Sequence, residues 1–143
     1  MKDTLTSQKL RGGYYTPQPI ADFLARWAVR SPDAVVLEPS FGDGNLLVAA
    51  AENLRALGTP PQRIAKQLHG IELEEDEAKK AIQRLTRVIS DYCADHIHIG
   101  DFFEYAQNNL FAEPTLIGIL TPHITFDAII ANPPFIRYQN FPE

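Results

Sequence analysis

Four short apolar runs, each too short to form a helix, alternate along this chain with segments of helical periodicity. The runs are Ala34–Leu37, Gln67–Ile71, His96–Ile99 and Phe126–Ala131. Runs of this kind are typical of buried strands in parallel sheets. Because strands that alternate with helices are joined by right-handed crossovers, the pattern predicts an α/β fold built on a parallel sheet.

The first two helical segments have identifiable boundaries. Thr16 is predicted to be the N-cap of the first helix and Pro17 its first helical residue. One apolar stripe of this helix is predicted to comprise Ile20, Phe23, Leu24, Trp27 and Ala28. Gly58 is a suitable end for the second helix. The apolar face of that helix comprises Leu47, Ala50, Ala51, Leu54 and Leu57.

The third helical segment begins with the acidic run Glu74–Glu77, where the helix dipole favours negative charge. Ion pairs are predicted between Glu75 and Lys79 and between Asp76 and Lys80. The apolar face comprises Ala78, Ile82, Leu85 and Ile89. Further along, residues 104–111 fit a short helix, whereas residues 116–120 fit either a helical turn or an extended segment.

The four histidines do not form a metal-binding pattern. His96 and His98 share one face of the third run, but no third ligand stands at a supporting spacing, so a solvent-facing pair is predicted. His69 and His123 are predicted to be isolated. We therefore expect no metal.

Charge and composition limit the class of protein. The net charge of −5 argues against a large phosphate-binding face on these 143 residues. The single cysteine, Cys93, excludes an internal disulfide framework and fits a reducing cytoplasm. A polar start and the lack of a membrane-length apolar run predict neither a signal peptide nor a membrane contact.

All four predicted strands end in a polar or glycine-rich candidate site. Glu38 and a glycine loop follow the first strand, Glu72 the second, Asp101 the third and Asn132 the fourth. In open parallel sheets, ligands bind outside the carboxyl ends of the strands. We therefore expect these residues to form one site.

The glycine loop, with Gly42 and Gly44, permits close approach of a ligand to the backbone before a helix. Leu47 stands where a dinucleotide-binding fingerprint has its third glycine. Asp43 would repel phosphate, so a ligand with a positive centre suits the loop better. Glu72 can accept from ribose hydroxyls, and Asp101 beside Phe102 offers an acceptor and an apolar surface for adenine. Ribose, adenine and a cationic amino-acid group together describe S-adenosylmethionine.

Five successive motifs resemble those of adenine-specific DNA methyltransferases of the gamma class, which belong to restriction–modification systems. They are Tyr14-Tyr15-Thr16-Pro17, Glu38-Pro39-Ser40-Phe41-Gly42-Asp43-Gly44, Glu72, Asp101-Phe102 and Asn132-Pro133-Pro134-Phe135. The resemblance covers nearly the whole chain. It implies a Rossmann-like S-adenosylmethionine-dependent methyltransferase fold, with helices on both faces of the sheet, and double-stranded DNA as the partner of the full-length protein.

The resemblance also implies roles for individual residues. Asn132 and the Pro133 carbonyl would accept hydrogen bonds from the target adenine's amine, and Phe135, after Pro134, would stack on the flipped base. Accepting these hydrogens favours a tetrahedral nitrogen whose lone pair can attack the sulfonium methyl group. The cofactor would be held by Tyr15, Thr16, Pro17, Glu38, Pro39, Ser40, Gly42, Gly44, Glu72, Leu73, Asp101 and Phe102.

The resembled family has further strands and a DNA-recognition region, and the chain ends eight residues after Phe135. Residues 1–143 are therefore expected to be the amino-terminal, mainly cofactor-binding part of a methyltransferase catalytic domain, without the DNA-recognition domain and inactive alone. We predict the strand order 3-2-1-4. The fourth strand would be an unprotected edge that favours self-association.

Two other functions remain open at this point. The nitrogen lone pair of a planar amide or of an RNA base amine is delocalised, as it is in adenine. Methylation of a protein glutamine or of RNA is therefore one alternative. A non-catalytic cofactor-binding module is another. A plain dinucleotide-binding domain is disfavoured because the third glycine is missing.

Overall fold

A parallel sheet of four strands, in the order β3-β2-β1-β4, forms the centre of the molecule. The computed structural model describes residues 15–89, 94–111 and 124–133. Its strands are β1 (Val36–Glu38), β2 (Leu68–Glu72), β3 (Ile97–Ile99) and β4 (Ala128–Ile129). The predicted sheet order is therefore confirmed. Predictions for Tyr14, Cys93, residues 116–120, His123, Pro134 and Phe135 lie outside the described residues.

Five helices connect or flank these strands in the described part of the chain. They are α1 (Gln18–Ala28), α2 (Asn45–Ala56), α3 (Pro61–Gln67), α4 (Glu75–Val88) and α5 (Phe102–Asn109). The seven-residue helix α3, with Pro60 as N-cap and Pro61 as its first residue, was not predicted, because two turns are too short to establish a periodicity. Proline fits there as N-cap and first helical residue.

The sheet buries a hydrophobic core on the face that carries α1, α2 and α4. Residues paired in parallel register share a face, and Val36 pairs with both Leu68 and Ala128. All three are buried in one cluster with residues from the three helices. Helix α2 lies between α1 and α4. The carboxyl ends of the central strands therefore open beside the N-terminus of α2.

Helix α1 faces the core with small residues rather than with the predicted stripe. Ala21 and Ala25 are fully buried, whereas Ile20, Phe23 and Trp27 are 51%, 60% and 67% exposed. The prediction was therefore wrong for these three side chains. Alanine allows two helix backbones to approach closely, and α1 packs directly against α2.

Helix α4 confirms one predicted ion pair and corrects the other. The Lys79 ammonium lies 2.8 Å from Glu75, as predicted. Lys80 pairs with Glu77 at 2.6 Å rather than with Asp76. Residues three and four apart are both neighbours on a helix surface, so spacing alone does not choose between them.

His69, for which no partner in a metal site was predicted, packs against two other rings. Its ring is 5% exposed and lies 4.4 Å from the ring of His96 and 5.2 Å from that of Phe126, between centroids. Burial, and secondarily the neighbouring His96, lowers the pKa of His69 to about 4. His98 is exposed as predicted, whereas His96, predicted to face solvent with it, is half-buried against the His69 ring. No cluster that could hold a metal ion occurs among the described residues.

Strand β4 lies at one edge of the described sheet and is only two residues long. Its Ile129 is 64% exposed. Within the described ranges, no helix combines the length and apolar character that crossing a bilayer requires.

Candidate functional site

The carboxyl ends of β1 and β4 meet at a small cavity of about 40 Å³. Glu38 is the last residue of β1, and Asn132 follows shortly after β4. This is the point where the strand order reverses direction, the usual ligand position in open α/β sheets. The cavity is lined by Tyr15, Thr16, Glu38, Ser40, Phe41, Gly42, Asp43, Asn45, Leu46 and Asn132. The structure thus brings together the predicted motifs at the ends of the first and fourth strands.

Glu38 is a buried carboxylate with an unsatisfied oxygen. It is 2% exposed, and its Oε2 has no hydrogen-bond partner among the described residues. Burial raises its pKa well above the ordinary value, against a backbone hydrogen bond from Leu47, and the nearby Asp43 and Glu72 raise it further. A buried acceptor without a partner is costly, so a cationic donor at this position would be stabilised.

The glycine loop connects β1 to α2 in left-handed backbone conformations. Gly42 has φ +53° and Gly44, the residue that caps α2, has φ +83°. A Cβ atom on Gly44 would lie 2.6 Å from the Cβ of Ala81 in α4. Glycine is therefore required at Gly44 by both backbone conformation and helix packing.

Asp43, inside the loop, is neutralised by a residue that the sequence did not indicate. The Arg84 guanidinium donates to the Asp43 carboxylate at 2.8 Å and to its carbonyl at 3.0 Å. Burial raises the pKa of Asp43, with Arg84 opposing this effect. Because Arg84 lies in the middle of α4, no strand-end pattern points to it. The carboxyl group best placed to receive a cationic group is therefore that of Glu38 rather than that of Asp43.

Glu72 connects the loop to the end of β2. Its Oε2 accepts from the Gly42 amide at 2.7 Å and its Oε1 from the Glu74 amide at 2.9 Å. Each carboxylate oxygen can accept more than one hydrogen bond, so this arrangement fixes the carboxylate and retains acceptor capacity for two hydroxyl groups. Leu73 is 65% exposed and provides an apolar surface beside it.

Asp101 is the N-cap of α5. Its Oδ1 accepts from the amides of Phe103 and Glu104 at 2.8 and 3.0 Å. This capping role was not predicted, although aspartate before a helix is a typical signal for it. Phe102 is half-buried and packs edge-on against Phe103. The N-cap hydrogen bonds hold the carboxylate at the end of β3, beside an aromatic surface.

The N-terminal segment crosses the loop and contacts the opposite side of the cavity. Its Tyr15 hydroxyl donates to Glu77 at 2.9 Å. The Thr16 carbonyl accepts from Asn45 at 2.8 Å, and the Thr16 hydroxyl accepts from Asn132 at 3.2 Å. Thr16 was predicted to be the N-cap of α1, which was wrong: Pro17 occupies that position, without a side-chain cap. The Thr16 side chain lines the cavity instead.

The remaining predicted residues directly follow β1 or lie shortly after β4. Pro39 and Ser40 follow β1 and are half-buried, and the Ser40 hydroxyl has no hydrogen-bond partner among the described residues. Asn132 is half-buried and Pro133 exposed. Two polar atoms, on Glu38 and Ser40, are therefore buried in the cavity wall without partners in the described chain.

Comparison with known proteins identifies relatives across nearly the whole chain. The sequence profile of the N-6 DNA Methylase family matches residues 2–141. The type II methyltransferase M.BanIII of Aneurinibacillus aneurinilyticus is 28% identical over 97% of this chain and 24% of its own length. The type II methyltransferase M.BstVI of Geobacillus stearothermophilus is also 28% identical, over 95% of this chain and 26% of its own length. The chain thus spans about a quarter of these curated relatives.

Two solved structures share the fold. The M protein of the type I restriction enzyme EcoKI superposes with a TM-score of 0.61 at 19% identity, over 88% of this chain and 26% of that protein. The methyltransferase subunit of a type I restriction-modification system from Streptococcus thermophilus gives a TM-score of 0.58 at 23% identity. That match covers 90% of this chain and 25% of that subunit. These matches agree with the predicted Rossmann-like methyltransferase fold, of which the described residues form a part.

Proposed function

The chain belongs to the N-6 DNA methylase family, and from this premise we propose that it supplies the cofactor site and the amine-accepting asparagine of an adenine-specific DNA methyltransferase. One observation carries the proposal: Glu38 and Asn132, at the ends of β1 and β4, line the same cavity. A carboxylate suited to a cation and an amide suited to an amine are thereby placed side by side.

The residues present fit S-adenosylmethionine. The unsatisfied Glu38 Oε2 suits the ammonium group of the methionine part, and the buried Ser40 hydroxyl offers a second polar contact. Glu72 would receive the ribose hydroxyls, with Leu73 beside it. The Asp101 carboxylate and the Phe102 ring would receive the adenine. When bound, the cofactor supplies an electrophilic methyl group.

The acceptor side of the reaction is assigned to Asn132 and Pro133. The lone pair of an adenine amine is delocalised into the ring, so the amine is a weak nucleophile. The Asn132 side-chain oxygen and the Pro133 main-chain carbonyl would each accept a hydrogen bond from one N–H of the amine. These two hydrogen bonds would favour a tetrahedral nitrogen. Positioning and preorganised acceptors of this kind are the principal sources of acceleration in such sites.

The full-length protein is proposed to act on double-stranded DNA within a restriction–modification system. The net charge of −5 on this chain indicates that most phosphate contacts come from elsewhere in the protein. We also propose a cytoplasmic location, in line with the single cysteine of the chain. Because Ile129 is exposed on the edge strand β4, we also propose self-association. Sedimentation that gives a strict monomer at every concentration would contradict self-association.

Calorimetry on this chain tests the cofactor assignment. We expect S-adenosylhomocysteine to bind with one-to-one stoichiometry and NAD not to bind. Glu38→Gln, which keeps size and removes charge, should weaken binding by about tenfold or more, in line with the strength of charge-assisted hydrogen bonds. Glu52→Gln is the matched control, since Glu52 is exposed on α2. Equal binding of NAD, or an unaffected Glu38→Gln, would overturn the assignment.

A further inference from the structure

We propose that Thr16 is a positioning residue that sets the orientation of the Asn132 side-chain amide. The consequence for methyl transfer rests on the proposed function, whereas the hydrogen bond between the two residues does not. The sequence motifs assigned Thr16 to the cofactor and Asn132 to the adenine. The structure joins them directly.

The contact is specific in its atoms. Asn132 Nδ2 lies 3.2 Å from Thr16 Oγ1, and Thr16 is 8% exposed. A carboxamide is planar, and its nitrogen and oxygen lie on opposite sides of the Cβ–Cγ bond axis. When the nitrogen donates to Thr16, the oxygen is turned away from Thr16. An amine-accepting asparagine must present this oxygen, so Thr16 selects the amide orientation that the proposed chemistry requires.

Thr16 is itself held by the cofactor side of the cavity. Asn45, the first residue of α2, donates its side-chain amide to the Thr16 carbonyl at 2.8 Å. Asn45 directly follows Gly44 of the glycine loop. Two hydrogen bonds through Thr16 thus connect the loop to Asn132. A movement of the loop would therefore be transmitted to the acceptor amide.

The neighbouring tyrosine fixes the same segment from outside. The Tyr15 hydroxyl donates to Glu77 in α4, and the tyrosine ring lies near Gly42, 3.8 Å from where a Cβ would stand. Contacts to α2 and α4 therefore fix the backbone from which the Thr16 hydroxyl projects. A hydroxyl on a fixed backbone orients its partner more strongly than one on a mobile segment.

The direction of the hydrogen bond is measurable, because a threonine hydroxyl can also donate. The probe is the Asn132 side-chain NH₂ signal of the 15N-labelled chain, assigned by its loss in Asn132→Asp. In the wild-type protein we expect a nuclear Overhauser effect from this NH₂ group to the Thr16 side chain. Absence of this effect would overturn the proposal. The measurement uses the wild-type chain, so it does not depend on the folding of a Thr16 variant.

Two variants then test the role of the hydroxyl. Thr16→Val, which is nearly isosteric, should shift the Asn132 NH₂ signal and accelerate its hydrogen exchange about tenfold, and Thr16→Ser should restore both. Thr86→Val is the matched control, because the Thr86 hydroxyl only donates to Ile82 within α4. An Asn132 signal in Thr16→Val identical to wild type would overturn the proposal.

The outcome is separable from that of the proposed function. If S-adenosylhomocysteine does not bind but Thr16→Val shifts the Asn132 signal, the cofactor assignment fails and the positioning contact stands. If the ligand binds normally and the signal does not shift, the positioning role fails alone. Ligand added to the wild-type chain should also shift the Asn132 signal, through Asn45 and Thr16.

Discussion

The guanidinium of Arg84 donates to both the carboxylate and the main-chain carbonyl of Asp43, across 2.8 and 3.0 Å. Helix α4 thereby neutralises the only carboxylate within the glycine loop. Because Asp43 is compensated, Glu38 is the carboxyl group of the cavity with an oxygen that lacks a partner in the described part of the chain. Arg84 thus leaves Glu38, rather than Asp43, as the carboxyl group of the cavity that suits the proposed cationic ligand group.

We expect Arg84→Gln to destabilise the fold by about 2 kcal/mol, because it leaves the half-buried Asp43 without its charged donor. The side chains of this pair are 29% and 23% exposed. Arg63→Gln is the matched control, since its partner Asp33 and Arg63 itself are 70% and 56% exposed. That pair should be worth less than about 1 kcal/mol. Urea denaturation measures both, and equal losses would contradict this account.

Gly44→Ala should cost about 2–4 kcal/mol, the sum of left-handed backbone strain and a clash with Ala81. Gly58→Ala isolates the strain, because Gly58 has φ +96° and a Cβ there would meet no described atom within 4 Å beyond its chain neighbours. It should cost only about 1 kcal/mol. Adding Ala81→Gly should recover part of the loss in Gly44→Ala. No recovery in that double variant would show that packing against α4 is unimportant.

Glu38→Gln should raise the melting temperature of the ligand-free chain at neutral pH. The folded-state pKa of Glu38 lies well above its ordinary value of 4.5, mainly because of burial. The protonated form is favoured in the folded state, so stability is lost as pH rises from 4.5 through the raised pKa. The variant removes this loss. Differential scanning calorimetry across pH would show that the melting temperature of the variant declines less above pH 4.5 than that of the wild type. An equal decline in both proteins would contradict the prediction.

His69 should make the free energy of unfolding depend on pH in the opposite direction to Glu38. Its pKa falls from 6.5 to about 4 on folding, chiefly through burial and then through His96. The unfolded chain binds the proton more readily, so stability is lost as pH falls from 6.5 towards 4, by up to about 1.4 kcal/mol per pH unit. His69→Phe should remove this dependence, whereas the exposed His98→Phe should keep it. Equal pH profiles for both variants would refute the assignment.

The parallel α/β arrangement could be predicted because strands alternate with helices along the sequence. The strand order 3-2-1-4 was predicted beside the resemblance to the methyltransferase family, and the structure confirms it. Which face of α1 is buried could not be predicted from the sequence. Its sequence offers one face with Ile20, Phe23 and Trp27 and another with Ala21 and Ala25, and periodicity alone does not say which meets the core. The closeness of α2 decides in favour of alanine, and Asn53 of α2 reinforces it by donating to the Val29 carbonyl at 2.8 Å.

The positions of the strand-end residues could be predicted from the sequence, whereas the hydrogen bonds that hold them could not. Glu38, Glu72, Asp101 and Asn132 lie at the carboxyl edge of the sheet, as expected, because the carboxyl ends of parallel strands meet there. Of the four, Glu38 and Asn132 line the cavity, and the roles of all four stay predictions. The partners Arg84, Asn45 and Glu77 lie on helices, where polar residues are also abundant on solvated surfaces. No local pattern distinguishes a helix residue that reaches into a loop from one that faces water. The Asp101 cap is the exception, since its local signal was present.

The contact between Thr16 and Asn132 joins the first and the last described segments of the chain. During synthesis Thr16 leaves the ribosome long before Asn132, and the two can meet only after β4 has paired with β1. Closing so long a loop is entropically costly and slow, so this contact is expected to form late in folding. A nascent chain would therefore carry a glycine loop before it carries an oriented asparagine. The proposed cofactor site would thus form before the proposed acceptor geometry.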